Sequence, residues 1–321
     1  MCYSAQVWSS YRRYLRKFDA KISIEEFIQL FELRLTDRRI KIAKGMEAAF
    51  LDDDHQDPGM QTIRDAIAKY QQSEATRLEQ ELFTQRKRFN DAERTLATKI
   101  TKAATESKRI ATDKIERITR QLSDLRRTEL LDRDHRIYPG YYAPVMIVEN
   151  DQLVIKPMRY QCRLAGKPAF YDTKYPGTYN ARRDNLEGFW KNQFGTAHGV
   201  MMVDAFYENV DRHRVEGREL KPDEKPENVI LQFKPQTNEP MLVACLWSRW
   251  SELGQADLLS FAAITDEPPA EVAASGHDRC IIPIQQNNLM AWLKPDGNNL
   301  AAQYAILDAR ERPYYEHRLA A

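Results

Sequence analysis

The sequence predicts an α+β protein in which a long helical segment leads into a strand-rich half that closes as an antiparallel barrel or sandwich. Two contrasting textures carry the prediction. From Met60 to Tyr138 there is neither glycine nor proline, while Ala, Glu, Gln, Lys and Arg dominate, as in a long solvated helix. Past Tyr138-Pro139-Gly140 short apolar runs alternate with polar links, prolines and aromatics, the pattern of several short strands. A chain of 321 residues that is 42% hydrophobic can bury a full core around them.

Taken in order, residues 3 to 18 mix aromatics with bases (Tyr3, Trp8, Tyr11, Arg12, Arg13, Tyr14). They either pack the terminus onto a domain or offer stacking and phosphate contacts to nucleic acid. Ser23-Ile24-Glu25-Glu26 is a capping box, and Phe27, Leu30, Phe31 and Leu35 follow at helical spacing, which predicts a helix to about Phe50. The cluster Asp52-Asp53-Asp54-His55-Gln56-Asp57-Pro58-Gly59 ends it as a solvated turn; its glycine and acids do not sit at calcium-loop offsets. In the next segment Ile63, Ile67, Tyr70, Leu78, Leu82, Phe89, Leu96, Ile100, Ala103, Ile110, Ile118, Leu122 and Leu125 recur in steps of three, four, seven or eight, a coiled-coil-like stripe. As one helix it would reach roughly 110 Å. A break at Asn90-Asp91-Ala92-Glu93 would fold it into an antiparallel hairpin. The segment has a basic excess, densest at Arg86-Lys87-Arg88 and Arg126-Arg127.

In the second half, Val145–Val148 and Leu153–Ile155 read as strands across the Glu149-Asn150-Asp151 turn. Further strands are predicted at Val200–Val203, Val229–Phe233, Met241–Leu246, Leu258–Ile264 and Cys280–Ile284, with short helices at Pro269–Ala274 and Gln286–Leu293.

Lysine plus arginine (48) nearly cancels aspartate plus glutamate (47), so any basic surface is local. The four cysteines, Cys2, Cys162, Cys245 and Cys280, form no C-x-x-C pair, which points to a reducing compartment and to neither a metal nor any other cofactor. The N-terminus lacks a signal-peptide hydrophobic stretch and no apolar run is long enough to span a membrane, so a cytoplasmic protein with no membrane partner is expected.

Chemistry is expected first at Met1-Cys2. Removing Met1 would expose a cysteine with a free α-amine, and the amine and thiol both titrate close enough to neutrality to act as nucleophiles. An aldehyde can condense with such an amine and then be captured by the thiol in a five-membered thiazolidine ring. Three polar residues stand out at strand edges: Asn180 in Thr178-Tyr179-Asn180-Ala181-Arg182, Glu208 in Asp204-Ala205-Phe206-Tyr207-Glu208, and His277 in Gly276-His277-Asp278-Arg279. A carboxylate behind two aromatics invites a raised pKa suited to proton transfer, and histidine titrates in that range already.

At these residues the chain resembles the SOS response-associated peptidase (SRAP) family, which includes abasic-site processing proteins. The resemblance rests on Cys2 after the initiating methionine, Asn180-Ala181-Arg182 with Asp184 following, Asp204-Ala205-Phe206-Tyr207-Glu208, and His277-Asp278-Arg279. Tyr142-Ala143-Pro144 is similar to the segment preceding the family's first long hairpin. It implies a strongly bent, barrel-like antiparallel sheet with Cys2 at the floor of a cleft for single-stranded DNA. The implied activity is a covalent thiazolidine crosslink to the ring-opened sugar of an abasic site. Cys2 would be the nucleophile, Asn180 would orient the amine or sugar, Glu208 would be the general acid/base, and His277 would polarise the sugar oxygen. Where the family has Cys-Gly-Arg this chain has Cys2-Tyr3-Ser4, so Arg182, Arg183 and Arg279 are the expected phosphate contacts, with Tyr207 beside them. Asn209 and Ile281 replace a tryptophan and a proline usual in the family.

The resemblance implies a core of residues 1–17 and 138–321, interrupted by a helical insertion over 18–137. That insertion would hold a protein partner, pair with a second copy or extend the DNA track. Two alternatives remain open on the sequence: an N-terminal-nucleophile peptidase or amidase acting in trans, and a non-catalytic helical interaction protein carrying a degenerate domain of this type.

Overall fold

The computed structural model describes residues 4–52 and 58–320. The N-terminal part runs β1 (Ser4–Val7), α1 (Tyr11–Phe18), β2 (Lys21–Ile22), α2 (Ile24–Thr36), β3 (Lys41–Ile42) and α3 (Lys44–Leu51). A hairpin of α4 (Pro58–Thr98) and α5 (Lys102–Arg126) follows, then β4 (Arg136–Ile137), β5 (Tyr141–Glu149), β6 (Gln152–Tyr160), α6 (Tyr171–Lys174), β7 (Asn180–Arg182), β8 (His198–Asp211) and α7 (Arg212–Val215). The last part comprises β9 (Asn228–Pro235), β10 (Met241–Trp250), β11 (Leu258–Asp266), α8 (Ala270–Ala274), β12 (Cys280–Ile281), α9 (Leu289–Leu293), α10 (Leu300–Asp308) and β13 (Tyr315–Leu319).

Five strands close on themselves in the order β8-β10-β11-β6-β5, with β5 returning to β8 through Met146 opposite Val200. All these pairings are antiparallel except β11 with β6. Alternation along each strand then sorts the side chains. Val145, Ile147, Met158, Tyr160, Met201, Val203, Val243, Cys245, Phe261 and Ala263 meet in one cluster inside the barrel. Their neighbours Met146, Ile155, Val200, Met202, Ala244 and Ala262 point outward into a second cluster covered by helices. The interior is tight: a Cβ built on Gly199 would lie 2.9 Å from Val145 Cγ1, which is why that position on β8 has no side chain.

β8 is longer than the barrel requires and changes partners along its length. Its first half pairs with β10 and β5, its second half with β9 on one side and β1 on the other. β4 and β13 extend this second layer at either edge. The result is a bent sheet with one strand common to both layers.

The N-terminal segment is woven into this body. Tyr11, Tyr14, Phe27, Phe31 and Phe50 are buried in the outer cluster with Met146 and Met202, and Tyr14 donates its hydroxyl to the Pro144 carbonyl at 3.2 Å. The described aromatics of the terminus thus pack onto the domain. β2 and β3 add to β6 and β5. The helix predicted to reach Phe50 is two helices, because Asp37, capped back onto Arg39, turns the chain into β3. The long segment, open on the sequence between one extended helix and a hairpin, is a hairpin, and its break lies at residues 99–101 rather than at Asn90-Asp91. There Thr101 accepts from the Ala104 N–H as an N-cap. Asn90 and Asp91 stay helical because Ala92 and Ala104 are buried, which lets the paired helices approach closely. The helix ends at Arg126 and not near Tyr138.

Candidate active site

Glu208 lies in the second half of β8, opposite Leu231 of β9. Strand alternation puts it on the same face as Phe206 and Val210. Phe206 stacks on Phe233 at 5.1 Å and meets Tyr315 edge-on, so the Glu208 carboxyl is only 1% exposed. Burial pushes its pKa up from the ordinary carboxylate value, against the opposing pull of His277.

His277 reaches this carboxyl from the loop after α8. Gly276 turns the chain at φ +90°, and a Cβ there would meet Arg214 Cδ at 2.7 Å. The ring is fixed at both nitrogens: Nδ1 lies 3.0 Å from the Arg279 carbonyl and Nε2 lies 2.9 Å from Glu208 Oε2. A carbonyl only accepts, so Nδ1 carries the proton and Nε2 faces the acid.

Asn180 opens β7, which runs parallel to β11 with Asn180 opposite Ala263. Thr265 Oγ1 donates to Asn180 Oδ1, and the buried Nδ2 has no hydrogen-bond partner among the described residues. The amide is therefore oriented and has a donor to offer. Arg279, two residues past His277, meets Asp184 at 3.4 Å, and Asp184 also holds Arg182 at 2.7 Å. This ion-pair chain ties the His277 loop to the Asn180 segment.

The expected DNA-contacting residues divide. Arg182 is half exposed, and Arg182 and Arg279 share Asp184 at the rim. Arg183 is turned to α10, paired with Asp308 at 2.5 Å and with Asp266 at 3.7 Å. Tyr207 lies on the face of β8 opposite Glu208, its hydroxyl donating to Gln6 Oε1 and accepting from Gln232 Nε2. The Arg136 guanidinium covers its ring at 3.7 Å and donates to Ser4 Oγ at 2.9 Å.

That second face holds residues the sequence reading missed. Arg136, Tyr207, Gln232 and Arg318 line a 400 Å³ pocket with Arg133. Gln232 was visible as the polar residue in the Val229–Phe233 run; Arg136 gave no signal, since its partner Ser4 is 132 residues away.

Cys2 lies outside the described residues; Ser4, two positions on, pairs with Tyr207, the neighbour of Glu208. The other cysteines are buried and free, and burial raises each thiol pKa, that of Cys162 to about 12, leaving them poor nucleophiles. Among the described residues no group of His, Cys, Asp and Glu is arranged to hold a metal ion, and no helix is long and apolar enough to cross a membrane.

The described residues form a closed barrel with a spur sheet that carries a buried acid–imidazole pair, Glu208 with His277, and an oriented amide, Asn180. The family model for SOS response associated peptidase (SRAP) matches residues 86–319, and the chain belongs to that family. Its role is accordingly a DNA-damage-associated one. Solved structures with similar folds include a protein from Bordetella bronchiseptica (15% identity, TM-score 0.46, covering 61% of this chain and 90% of that one). Others are a phage-related protein from the same organism (20%, 0.42, 58% and 80%) and a protein from Bacteroides thetaiotaomicron (12%, 0.44, 60% and 80%). No curated protein matches the sequence.

Proposed function

We propose that the protein binds single-stranded DNA and traps abasic sites covalently through Cys2 after loss of Met1. The observation that carries this reading is the buried Glu208–His277 pair, one strand position beyond the residue opposite Ser4. Two residues of chain span at most about 7 Å, and Cys2 precedes Ser4 by two residues, which supports assigning it to that pair.

The ring-closed abasic sugar opens to an aldehyde when a proton is removed from its anomeric hydroxyl and one is given to the ring oxygen. Glu208, whose pKa burial raises, supplies protons for this step and for loss of water from the carbinolamine formed with the Cys2 amine. His277 accepts and returns that proton through Nε2. The unpartnered Nδ2 of Asn180 orients the amine or the sugar. The Cys2 thiol then adds across the imine carbon, its proton passing to nitrogen, and closes the thiazolidine. Net, one aldehyde and one aminothiol give one ring and one water.

The test uses methionine-free protein and a single-stranded oligonucleotide with one abasic site. A heat-stable adduct should form with the native protein and vanish with Cys2→Ser. Equal adduct from Cys2→Ser, or none from either, rejects the proposal.

A further inference from the structure

The pocket beside Ser4 does not end at the barrel. A second recess of 670 Å³, between the last turns of α5 and the segment leading to β4, is lined by Arg117, Arg120, Arg127 and Arg133 with Asp124. Arg133 lines both recesses. A basic line therefore runs from the hairpin through Arg133 to Arg136, which holds Ser4, and to Arg318.

The members of this line are not equivalent. Arg127 is held between Asp124 and the buried Asp134 at 2.9 and 2.7 Å, which anchors α5 to the barrel. Arg133 shares Asp124 at 2.8 Å. Arg117 and Arg120 are exposed and have no ion pair among the described residues. Their spacing of three puts them on one helix face, with Gln121 and Asp124 next along it.

We infer that this face of α5 is a nucleic-acid backbone track that continues the single-stranded DNA path away from the reacting end of the chain. The inference rests on the DNA reading above and extends it to the helical hairpin. Length favours a strand over a small anion: Arg117 to Arg127 rises about 15 Å, room for more than one backbone phosphate. At the barrel end the line meets Arg136, whose guanidinium covers the buried Tyr207 ring.

The test measures equilibrium binding of oligonucleotides without an abasic site, at several salt concentrations, by the full chain and by Arg117→Ala/Arg120→Ala. For a strand of about 25 nucleotides the double variant should bind about tenfold more weakly, with a salt slope shallower by about 1.4, from two phosphates at about 0.7 each. Arg117→Lys/Arg120→Lys should restore the slope. A strand of about five nucleotides, too short to leave the barrel, should bind both proteins alike, and crosslinking at saturating abasic DNA should be unchanged. Unaltered affinity and slope on the long strand would overturn the track. So would loss of binding to polyglutamate in place of DNA, which would make the face a docking site for acidic protein. An absent crosslink with an intact slope difference would reject the Cys2 chemistry and leave the track standing.

Discussion

One proton serves both Glu208 and His277. Because Nδ1 donates to the Arg279 carbonyl, the pair is either a protonated acid donating to neutral imidazole or a carboxylate accepting from imidazolium. Glu208→Gln keeps a donor toward Nε2 and removes the transferable proton. Crosslinking by this variant should slow about 10²–10⁴-fold, read from adduct formation at saturating abasic DNA. Stability should move the other way. Burial raises the folded-state pKa of Glu208 above 4.5, so the folded protein keeps a proton that the unfolded chain has released. Its contribution is full below the ordinary carboxylate range and is lost as pH climbs through the raised value. Thermal melts of the native protein and Glu208→Gln should therefore diverge between about pH 4 and neutrality, the variant melting a few degrees higher at neutral pH. A gain that grew toward acid pH would contradict a buried, protonated acid. Asn180, Glu208 and His277 could be singled out in the sequence because each stands in a short polar motif beside an apolar or aromatic run, although Glu208, expected at a strand edge, lies within β8. Arg136 was not, because its contacts with Ser4 and Tyr207 come from strand pairing between distant segments, which leaves no local trace.

The hairpin illustrates how far an element can be read. Its apolar repeat announced paired helices, and Leu78, Ile118 and Leu122 do form their own cluster, with Leu82 and Leu125 against it. The point of reversal was misread because Asn90-Asp91 looks like a cap only in isolation; Arg88 Nε donates to Ser107 Oγ at 2.8 Å and Lys108 pairs with Glu93 at 2.9 Å across the two helices. Thr101 therefore takes the capping role. So small a cluster makes the outer part of the hairpin a separate stability unit, whereas Met60, Ile63, Ala66 and Ile67 at the start of α4 belong to the main core. Ile118→Ala should cost about 2–5 kcal/mol, expressed locally. Hydrogen exchange should accelerate through α5 and the facing part of α4 while β10, β11 and the first turns of α4 keep their protection. Uniform acceleration throughout the chain would show that the hairpin and barrel unfold together.

Across the whole molecule, the long sequence gap between β1 and β8 is closed by the sheet. β1 returns the chain start to β8, and α1, α2 and α3 cover the barrel through a joint core. The strand-rich half was legible from alternating apolar runs. The two-residue strands β2 and β3 were not, since so short a strand gains its partner only from the tertiary fold. Phe50 tests the continuity of this body. It is fully buried and its ring lies 4.9 Å from that of Tyr11, 5.2 Å from Phe27 and 5.5 Å from Phe31. Phe50→Ala should remove about 3–5 kcal/mol and lower the single cooperative melt followed by barrel tryptophan fluorescence. A barrel transition that stayed in place would separate the N-terminal helices from it.

The central claim is that the chain start reacts as an aminothiol, and intact mass spectrometry reads this most directly. Protein is weighed before and after exposure to a single-stranded oligonucleotide with one abasic site. The expected starting mass lacks Met1, and the product mass equals protein plus oligonucleotide less one water, with the modified residue mapping to Cys2. Retained Met1 with no adduct, or an adduct of the same yield in Cys2→Ser, would contradict it.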